Sequence, residues 1–274
     1  MAATSVREAL DSALVALTAA GVDTPRLDAE VLLAHALGVD RATLLIDRDQ
    51  AVEGGAVRAF QTAVRRRAFD REPVAYITGV KGFRHLDLHV DRRVLIPRPE
   101  TETLVEAAVE ILPQGARVVD VGTGSGAIAL AVKDERPDLE VTGTDVSEDA
   151  LAVARGNGER LGLEVAFAHA DLLAGAGDVD AVVSNPPYVE DGAQLAPEIV
   201  HHEPSLALRA GPDGLDVLRL LVPAAAALGA KVVAVEVGAG QAEAVQELAA
   251  AAGFTASERR ADLAGIDRVV VAWR

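Results

Sequence analysis

Residues 117–145 read RVVDVGTGSGAIALAVKDERPDLEVTGTD, and this stretch decides the fold. A mostly apolar segment covers 117–121, glycines and small polar residues follow it, an Ala-rich segment runs over 126–134, and 140–144 is again largely apolar. The pattern predicts a strand, a tight glycine loop, a helix and a second, parallel strand.

The same alternation continues outward to the end of the chain. Further strands are predicted at 164–168, 180–184, 231–236, 253–258 and 268–273, and further helices at 147–160, 214–227 and 240–252. Alternation of this kind predicts an α/β fold with a largely parallel, Rossmann-like sheet wound on both faces. Only a short loop separates the last two strands, so we expect an antiparallel edge pair.

The N-terminal third shows helical periodicity instead. A first helix is expected to end at Gly21, a second to begin at Pro25, a short third to be capped by Asp40, and a fourth to cover about 56–69. The apolar face predicted for the second helix consists of Leu27, Val31, Ala34 and Leu37.

Between these regions, GFRHLDLHVDRRVLI (82–96) alternates apolar and polar residues and predicts a β-hairpin with a turn at Asp91 and Arg92. The expected domains are therefore a helical domain over 1–72, a hairpin linker over 73–97 and an α/β domain over 98–274. The triplet Arg65–Arg67 is expected to be a solvated helix end that complements the helix dipole, with contact to a substrate as the alternative.

Composition excludes several classes of protein. The chain has no cysteine, which rules out disulfides, thiol nucleophiles and zinc–thiolate sites. It has no run of about 18 apolar residues and no basic segment followed by an apolar one at the N-terminus, so we expect no membrane helix, no signal sequence and a cytoplasmic location. His201 and His202 are adjacent, and His85 and His89 lie in the predicted hairpin, so no metal site is expected.

Charge is unevenly distributed. Residues 1–95 carry 13 basic and 13 acidic side chains, whereas 96–274 carry 13 basic and 29 acidic ones, so the whole net charge of -16 lies in the second region. An acidic surface argues against stable binding of nucleic acid.

The glycine loop indicates a cofactor that contains adenosine. Gly122, Gly124 and Ala127 fit the spacing of a dinucleotide fingerprint, and Asp145 at the end of the next strand can accept both hydroxyls of a ribose. This pattern leaves a nicotinamide dinucleotide and S-adenosylmethionine both open. Asp120 favours the second, because a carboxylate there suits an amino group and a sulfonium centre and would repel a pyrophosphate.

Asn185-Pro186-Pro187-Tyr188 follows a predicted strand, at the edge of the sheet where ligands of α/β proteins bind. The lone pair of a planar amide or aromatic amine is delocalised, so such a nitrogen is a poor nucleophile. The Asn185 side-chain oxygen and the Pro186 carbonyl can each accept one N–H of an NH2 group, which holds the nitrogen in line for methylation. Tyr188 offers a flat face to the planar group.

Several longer segments together resemble the protein-(glutamine-N5) methyltransferases of the HemK type. They are REPVAYITG at 71–79, LIPRPETE at 95–102, VVDVGTGSGAIAL at 118–130, NPPY at 185–188, EPSLAL at 203–208, GPDGLDVLR at 211–219 and DLAGIDRVV at 262–270. NPPY alone is shared with adenine-N6 methyltransferases, which remain the alternative enzyme class. A non-catalytic module that senses the cofactor is a third possibility, and a nicotinamide-dependent dehydrogenase is the weakest.

This resemblance implies a helical N-terminal domain that recognises the substrate, a hairpin linker and a Rossmann-like class I methyltransferase domain with an antiparallel last strand. It implies transfer of a methyl group from S-adenosyl-L-methionine to the glutamine of the Gly-Gly-Gln motif in peptide chain release factors, which leaves S-adenosyl-L-homocysteine. The cofactor residues it implies are Gly122, Thr123, Gly124, Ser125, Gly126, Asp145, Leu172 and Asn185. The catalytic residues it implies are Asn185, Pro186 and Tyr188, and substrate contacts extend over Asn185, Pro186, Pro187 and Tyr188.

The segment around Arg98 and Glu100 has two interpretations. Either these side chains act directly in the reaction, or the segment closes over cofactor and substrate while Arg98 and Glu102 determine its shape.

The charge distribution generates a first prediction. A release-factor tip that enters ribosomal RNA among phosphates should be basic, so the acidic domain is expected to attract it. The rate of association, measured by stopped-flow, should therefore fall as ionic strength rises. If the rate of association does not change with ionic strength, the acidic domain does not attract the release factor, and the net charge contributes to solubility alone.

Overall fold

The computed structural model describes residues 4–274. Residues 1–3 lie outside the described part, and they belong to the N-terminal segment in which we expect no signal sequence. The strands are β1 (Thr4–Ser5), β2 (Ala51–Val52), β3 (Val80–Phe83), β4 (Leu86–His89), β5 (Arg117–Val121), β6 (Glu140–Asp145), β7 (Ala166–His169), β8 (Ala181–Ser184), β9 (Val232–Glu236), β10 (Ala256–Ala261) and β11 (Asp267–Trp273). The helices are α1 (Val6–Ala19), α2 (Pro25–Leu37), α3 (Arg41–Ile46), α4 (Gly54–Phe69), α5 (Val74–Thr78), α6 (Glu102–Ile111), α7 (Ala127–Glu135), α8 (Glu148–Leu161), α9 (Pro197–His202), α10 (Asp216–Ala227) and α11 (Ala242–Ala251).

The chain divides into two compact units. The helical unit ends at Gly79 and also takes in Ala196–His202, whereas the α/β unit comprises Val80–Leu195 and Glu203–Arg274. The chain therefore leaves the α/β unit shortly after Tyr188, contributes α9 to the helical unit, and returns at Glu203.

Local capping explains where the first helices begin and end. Ser5 and Glu8 form a reciprocal capping box at the start of α1. The Asp40 side chain accepts the backbone N–H of Thr43 at 3.0 Å, as expected for the cap of α3. Pro25 opens α2, and Gly38 ends it in the left-handed conformation.

The apolar face predicted for α2 is wrong in part. Leu27 is 42% exposed, while Leu32 and Leu33, outside the predicted face, are fully buried; Ala34 is buried as expected. The physical reason is that α2 packs against α1, α3, α4 and α5 together, so its buried surface is much wider than a single stripe.

The expectation of a solvated arginine triplet is wrong for Arg67. Its guanidinium is buried and lies 2.6 Å from Asp28 of α2 and 3.0 Å from Glu198 of α9, whereas Arg65 is exposed. The helix dipole did not decide this position, because Arg67 neutralises the buried carboxylate of Asp28.

The α/β unit confirms the predicted Rossmann-like sheet. Seven strands lie in the order β10-β11-β9-β8-β5-β6-β7; β5 to β9 are parallel, and β11 runs antiparallel to both β9 and β10. Alternate strand residues enter opposite cores, so that Val118 packs on the side of α6 and α7 and Val119 on the side of α10 and α11. Two strands start two or three residues later than predicted, β7 at Ala166 and β10 at Ala256.

The β-hairpin is present, but its predicted turn is wrong. β3 and β4 pair antiparallel and turn at Arg84 and His85, whereas Asp91 follows the second strand. Arg84 has a φ of 52°, and its side chain reaches carboxylates of Glu106 and Glu135. These ion pairs join the turn to α6 and α7, a long-range contact that local sequence does not reveal.

No helix within residues 4–274 is both long and apolar enough to span a bilayer.

The buried ion pair of the helical unit generates a second prediction. Replacing Arg67 by Met leaves the buried Asp28 without its cation, so the free energy of unfolding should fall by about 3 kcal/mol or more. Urea titration followed by far-UV circular dichroism measures this change. The matched control is Arg7→Met, which breaks a pair whose side chains are 57% and 85% exposed and should cost under about 1 kcal/mol. Equal losses in both variants would contradict the prediction.

Candidate functional site

The glycine loop lies at the carboxyl end of β5 and is held by the adjacent strand. The N–H groups of Gly122 and Thr123 both donate to the Thr144 carbonyl, at 2.8 and 2.9 Å. Gly122 and Gly124 have φ of 71° and 56°, and a Cβ atom on either would project into open space. The loop therefore bares its backbone on one side, as the approach of a ligand requires.

The remaining loop residues are packed inward. Thr123, Ser125 and Gly126 are buried, and the Ser125 carbonyl accepts a hydrogen bond of 2.9 Å from Asn157 of α8. These three residues thus shape the loop from beneath, while Gly122 and Gly124 present its surface.

Asp145 ends β6 beside the loop and is oriented by two backbone donors. Its carboxylate accepts the N–H of Gly124 at 3.0 Å and that of Ser147 at 2.9 Å. Each oxygen keeps a free lone pair, so the carboxylate can still accept the two hydroxyls of a ribose.

Asp120 lies under the loop and is completely buried. One oxygen accepts the Thr123 hydroxyl at 2.6 Å and the N–H of Ala129 at 3.1 Å. Burial raises the pKa of Asp120 to about 7, against the effect of these hydrogen bonds. Its Oδ1 has no hydrogen-bond partner among the described residues. An unpaired buried acceptor beside an open loop fits a ligand that carries an ammonium group.

Leu172 follows β7 in a left-handed conformation, with a φ of 51°. The Thr144 hydroxyl donates to its carbonyl at 3.2 Å, which ties the segment to β6. The side chain is half-buried and packs on the core beside α10 and α11. A strained branched residue next to Asp145 is typical of a ligand-binding loop.

The segment Asn185–Tyr188 begins where β8 ends, one strand from the glycine loop. Pro186 is buried, and Asn185, Pro187 and Tyr188 are half-buried. The Asn185 side-chain nitrogen donates to the Thr101 hydroxyl at 3.1 Å. The Tyr188 hydroxyl donates to Glu236 at 3.0 Å, and burial together with this carboxylate raises the pKa of Tyr188, so the phenol stays protonated.

Sequence reasoning missed Thr101 and Glu236. Both are buried, Thr101 at the start of α6 and Glu236 at the end of β9. Burial raises the pKa of Glu236, and the hydrogen bond from Tyr188 opposes that rise. One feature of the sequence could have indicated Glu236: it is an acidic residue at the end of the otherwise apolar strand VVAVE.

Tyr188 is also braced through its backbone. The Gln241 side chain donates to the carbonyls of Tyr188 at 3.1 Å and Asp213 at 3.0 Å. A Cβ on Gly214 would lie 2.1 Å from the Tyr188 carbonyl oxygen, so only glycine fits there. The DGL segment therefore supports the NPPY segment from behind.

Arg98 has a structural partner. Its guanidinium pairs with Glu203, whose side chain is 1% exposed and also accepts the N–H of Ile96. This joins the segments LIPRPETE and EPSLAL and favours the interpretation in which Arg98 determines the shape of the loop. Glu102 accepts the N–H of Arg84 at 3.1 Å, as a shape-determining residue would.

The sheet order brings the predicted residues Asn185 and Asp145 and the glycine loop to one edge, together with Glu236, which was not predicted. They lie at the carboxyl ends of β8, β6, β5 and β9, and these strands are neighbours in the order β9-β8-β5-β6. The bare loop, the unpaired Asp120 oxygen and the oriented Asp145 carboxylate together fit S-adenosylmethionine. Residues 4–274 contain no group of His, Asp and Glu side chains able to hold a metal ion.

Comparison with solved structures supports the fold. A methyltransferase from Pyrococcus furiosus superposes with a TM-score of 0.52 at 17% identity, over 78% of this chain and 94% of that one.

Comparison of sequences identifies the family. Residues 8–79 match the PrmC N-terminal domain, and residues 100–241 match the methyltransferase small domain. The release factor glutamine methyltransferase of Mycolicibacterium smegmatis is 43% identical over 99% of this chain and 98% of its own length. That of Moorella thermoacetica is 42% identical over 98% and 99%. With this identity over nearly full length, the chain belongs to the release factor glutamine methyltransferase family.

Proposed function

We propose that this chain transfers a methyl group from S-adenosyl-L-methionine to the side-chain amide nitrogen of the glutamine in the Gly-Gly-Gln motif of peptide chain release factors. The observation that carries the proposal is Asn185-Pro186-Pro187-Tyr188 at the end of β8, one strand from an open glycine loop, in a member of this family. The product is N5-methylglutamine, with S-adenosyl-L-homocysteine released.

The cofactor is assigned to the loop Gly122–Gly126, Asp145, Leu172 and the edge of Asn185. When bound, it supplies an electrophilic methyl group on a sulfonium centre. Asp145 would accept the ribose hydroxyls, the Asp120 oxygen that lacks a partner would take the amino group, and Leu172 would cover the adenine with an apolar surface. Because Leu172 is aliphatic, it cannot stack on the adenine ring as an aromatic side chain would.

The substrate glutamine is assigned to Asn185, Pro186, Pro187 and Tyr188. The Asn185 side-chain oxygen and the Pro186 carbonyl each accept one N–H of the amide, which draws the nitrogen lone pair toward the methyl group. Proline fixes the angle from which its carbonyl approaches, and the Tyr188 ring lies against the planar amide. In this assignment the N–C bond would form as the S–C bond breaks, and the methylated nitrogen, which has become acidic, would then release its proton to water.

The helical unit is assigned to recognition of the release factor, over the expected domain 1–72, with 73–97 as the linker and 98–274 as the transferase. A protein substrate of the translation machinery places the enzyme in the cytoplasm. The excess of acidic residues over 96–274 disfavours the alternative of an adenine-N6 methyltransferase, which would have to grip a polyanion.

The direct test is incubation of the purified protein with a release factor and isotope-labelled S-adenosylmethionine, followed by peptide mass spectrometry. We expect a single added methyl group on the Gly-Gly-Gln glutamine. A release factor in which that glutamine is replaced by alanine is the control. Label on an oligonucleotide and none on the release factor would overturn the substrate assignment.

A third prediction concerns Asn185. In Asn185→Ala, turnover on the release factor should fall about 100-fold or more, since loss of one preorganised partner of a reacting group typically costs ~10²–10³ in turnover. Isothermal titration should show a much smaller loss of cofactor affinity, because Asp145 and the glycine loop remain. Turnover equal to that of the unchanged enzyme would remove Asn185 from the catalytic assignment.

A fourth prediction concerns Asp145. In Asp145→Asn, the Kd for the cofactor should rise about 10- to 100-fold, since hydrogen bonds to a charged group are worth roughly 1.5–3 kcal/mol. Turnover at saturating cofactor should be largely retained. The matched control is Glu148→Gln, a neighbouring carboxylate on α8 whose side chain is 63% exposed. An unchanged Kd in Asp145→Asn would contradict the ribose contact.

A further inference from the structure

We propose that Asn157 is a positioning residue for the glycine loop, and that through it the β3–β4 hairpin helps to set how tightly S-adenosylmethionine binds. The proposal rests on the proposed function, because it concerns the loop Gly122–Gly126 to which the cofactor is assigned. The hairpin, which the sequence predicts as a linker, then belongs to the structure that supports the cofactor.

The Asn157 side chain, on α8, joins the hairpin to the glycine loop. Its Oδ1 atom accepts the N–H of His89 at 2.7 Å. Its Nδ2 atom donates to the carbonyls of His89 at 3.0 Å and of Ser125 at 2.9 Å. His89 ends β4, 68 residues before Asn157, and Ser125 lies 32 residues before it. One side chain therefore connects two backbone segments that are distant in the sequence.

The surrounding groups fix the direction of this amide. The Arg160 guanidinium also donates to Oδ1, at 3.0 Å, so the oxygen faces two donors while the nitrogen faces two carbonyls. A reversed amide would set its NH2 group against an N–H and a guanidinium, and its oxygen against two carbonyl oxygens. Asn157 is completely buried, so bulk water does not replace a partner that is lost.

The contact with Ser125 supports the part of the loop that lies away from β6. The first residues of the loop are hydrogen-bonded to β6. The peptide group between Ser125 and Gly126 is held differently: its carbonyl accepts from Asn157, and its N–H donates to the Thr123 carbonyl at 2.8 Å. Without the Asn157 donor, this peptide group is free at its carbonyl end, and the backbone that the loop presents to a ligand is no longer fixed on that side.

Loss of this support should lower cofactor affinity. A loop that samples other conformations binds its ligand more weakly, because only the competent fraction of molecules binds. The groups assigned to contact the cofactor are unchanged, so the effect of Asn157 is indirect. Coupling between two sites is reciprocal, so bound cofactor should in turn stabilise the hairpin backbone at His89.

The first experiment replaces Asn157 by Asp, which has the same shape and still accepts from His89 and Arg160, but when ionised donates nothing. Isothermal titration should show a Kd for S-adenosylmethionine that is raised about fivefold or more, the change that corresponds to one hydrogen bond of ordinary net strength. In turnover assays the loss should appear in the KM for the cofactor rather than in kcat, since the NPPY segment is untouched. The binding stoichiometry and the thermal midpoint report the folded fraction.

The matched control is Arg84→Met, at the other end of the same hairpin. It breaks the ion pairs of the turn with Glu106 and Glu135 but leaves every contact of Asn157 in place. The cofactor Kd of this variant should stay within about twofold of that of the unchanged enzyme. An equal rise in Kd in both variants, or an unchanged Kd in Asn157→Asp, would overturn the inference.

A second measurement needs no substitution. Hydrogen–deuterium exchange over residues 86–92 should become slower when S-adenosylmethionine is added to the unchanged enzyme, because a loop fixed by its ligand also fixes Asn157. Residues 256–267, at the β10 edge of the sheet, are the internal control. Equal exchange over 86–92 with and without the cofactor would overturn the inference even if Asn157→Asp does not fold. If the unchanged protein binds no cofactor at all, the proposed function is overturned, and the inference with it.

Discussion

The structure depends on the arrangement of strands on either side of β5. The chain passes from β5 to β6 on one side and places β8 on the other, so the carboxyl ends of these strands open a crevice at the reversal. The glycine loop occupies one wall and NPPY the other. The strands that carry both segments are packed between two cores, one on each face of the sheet.

Two buried carboxyl groups hydrogen-bond to the segments on either side of this crevice. Asp120 and Glu236 are both completely buried carboxyl groups, one under the glycine loop and one beside NPPY, and burial raises the pKa of each. Such groups cost stability unless they are hydrogen-bonded, and each is bonded on one oxygen and unpaired on the other among the described residues. An apolar residue in place of Asp120 would remove the hydrogen-bond partner of Thr123 in the glycine loop, and one in place of Glu236 would remove that of Tyr188 in NPPY. The positions of these two segments therefore explain why buried carboxyl groups are present.

Much of the site was predictable because it is local in sequence. Strand, glycine loop and helix over 117–134 follow from short-range periodicity and from the conformational freedom of glycine, and NPPY follows from the inability of two prolines to continue a strand. The position of the hairpin turn was predicted wrongly, and the contacts that Arg84 makes there, with Glu106 and Glu135, join residues far apart along the chain. Arg67 likewise has the sequence context of a solvated helix end, and only packing with Asp28 and Glu198 shows that it is buried.

The sequence by itself determined the fold class and the family, and it generated the proposal for the cofactor and substrate residues, because each of these depends on motifs a few residues long. Only the tertiary structure decided which polar side chains support those motifs. Thr101 lies 84 residues before Asn185, and Glu236 lies 48 residues after Tyr188. Hydrogen bonds over such separations depend on the order of strands in the sheet, which no local pattern encodes.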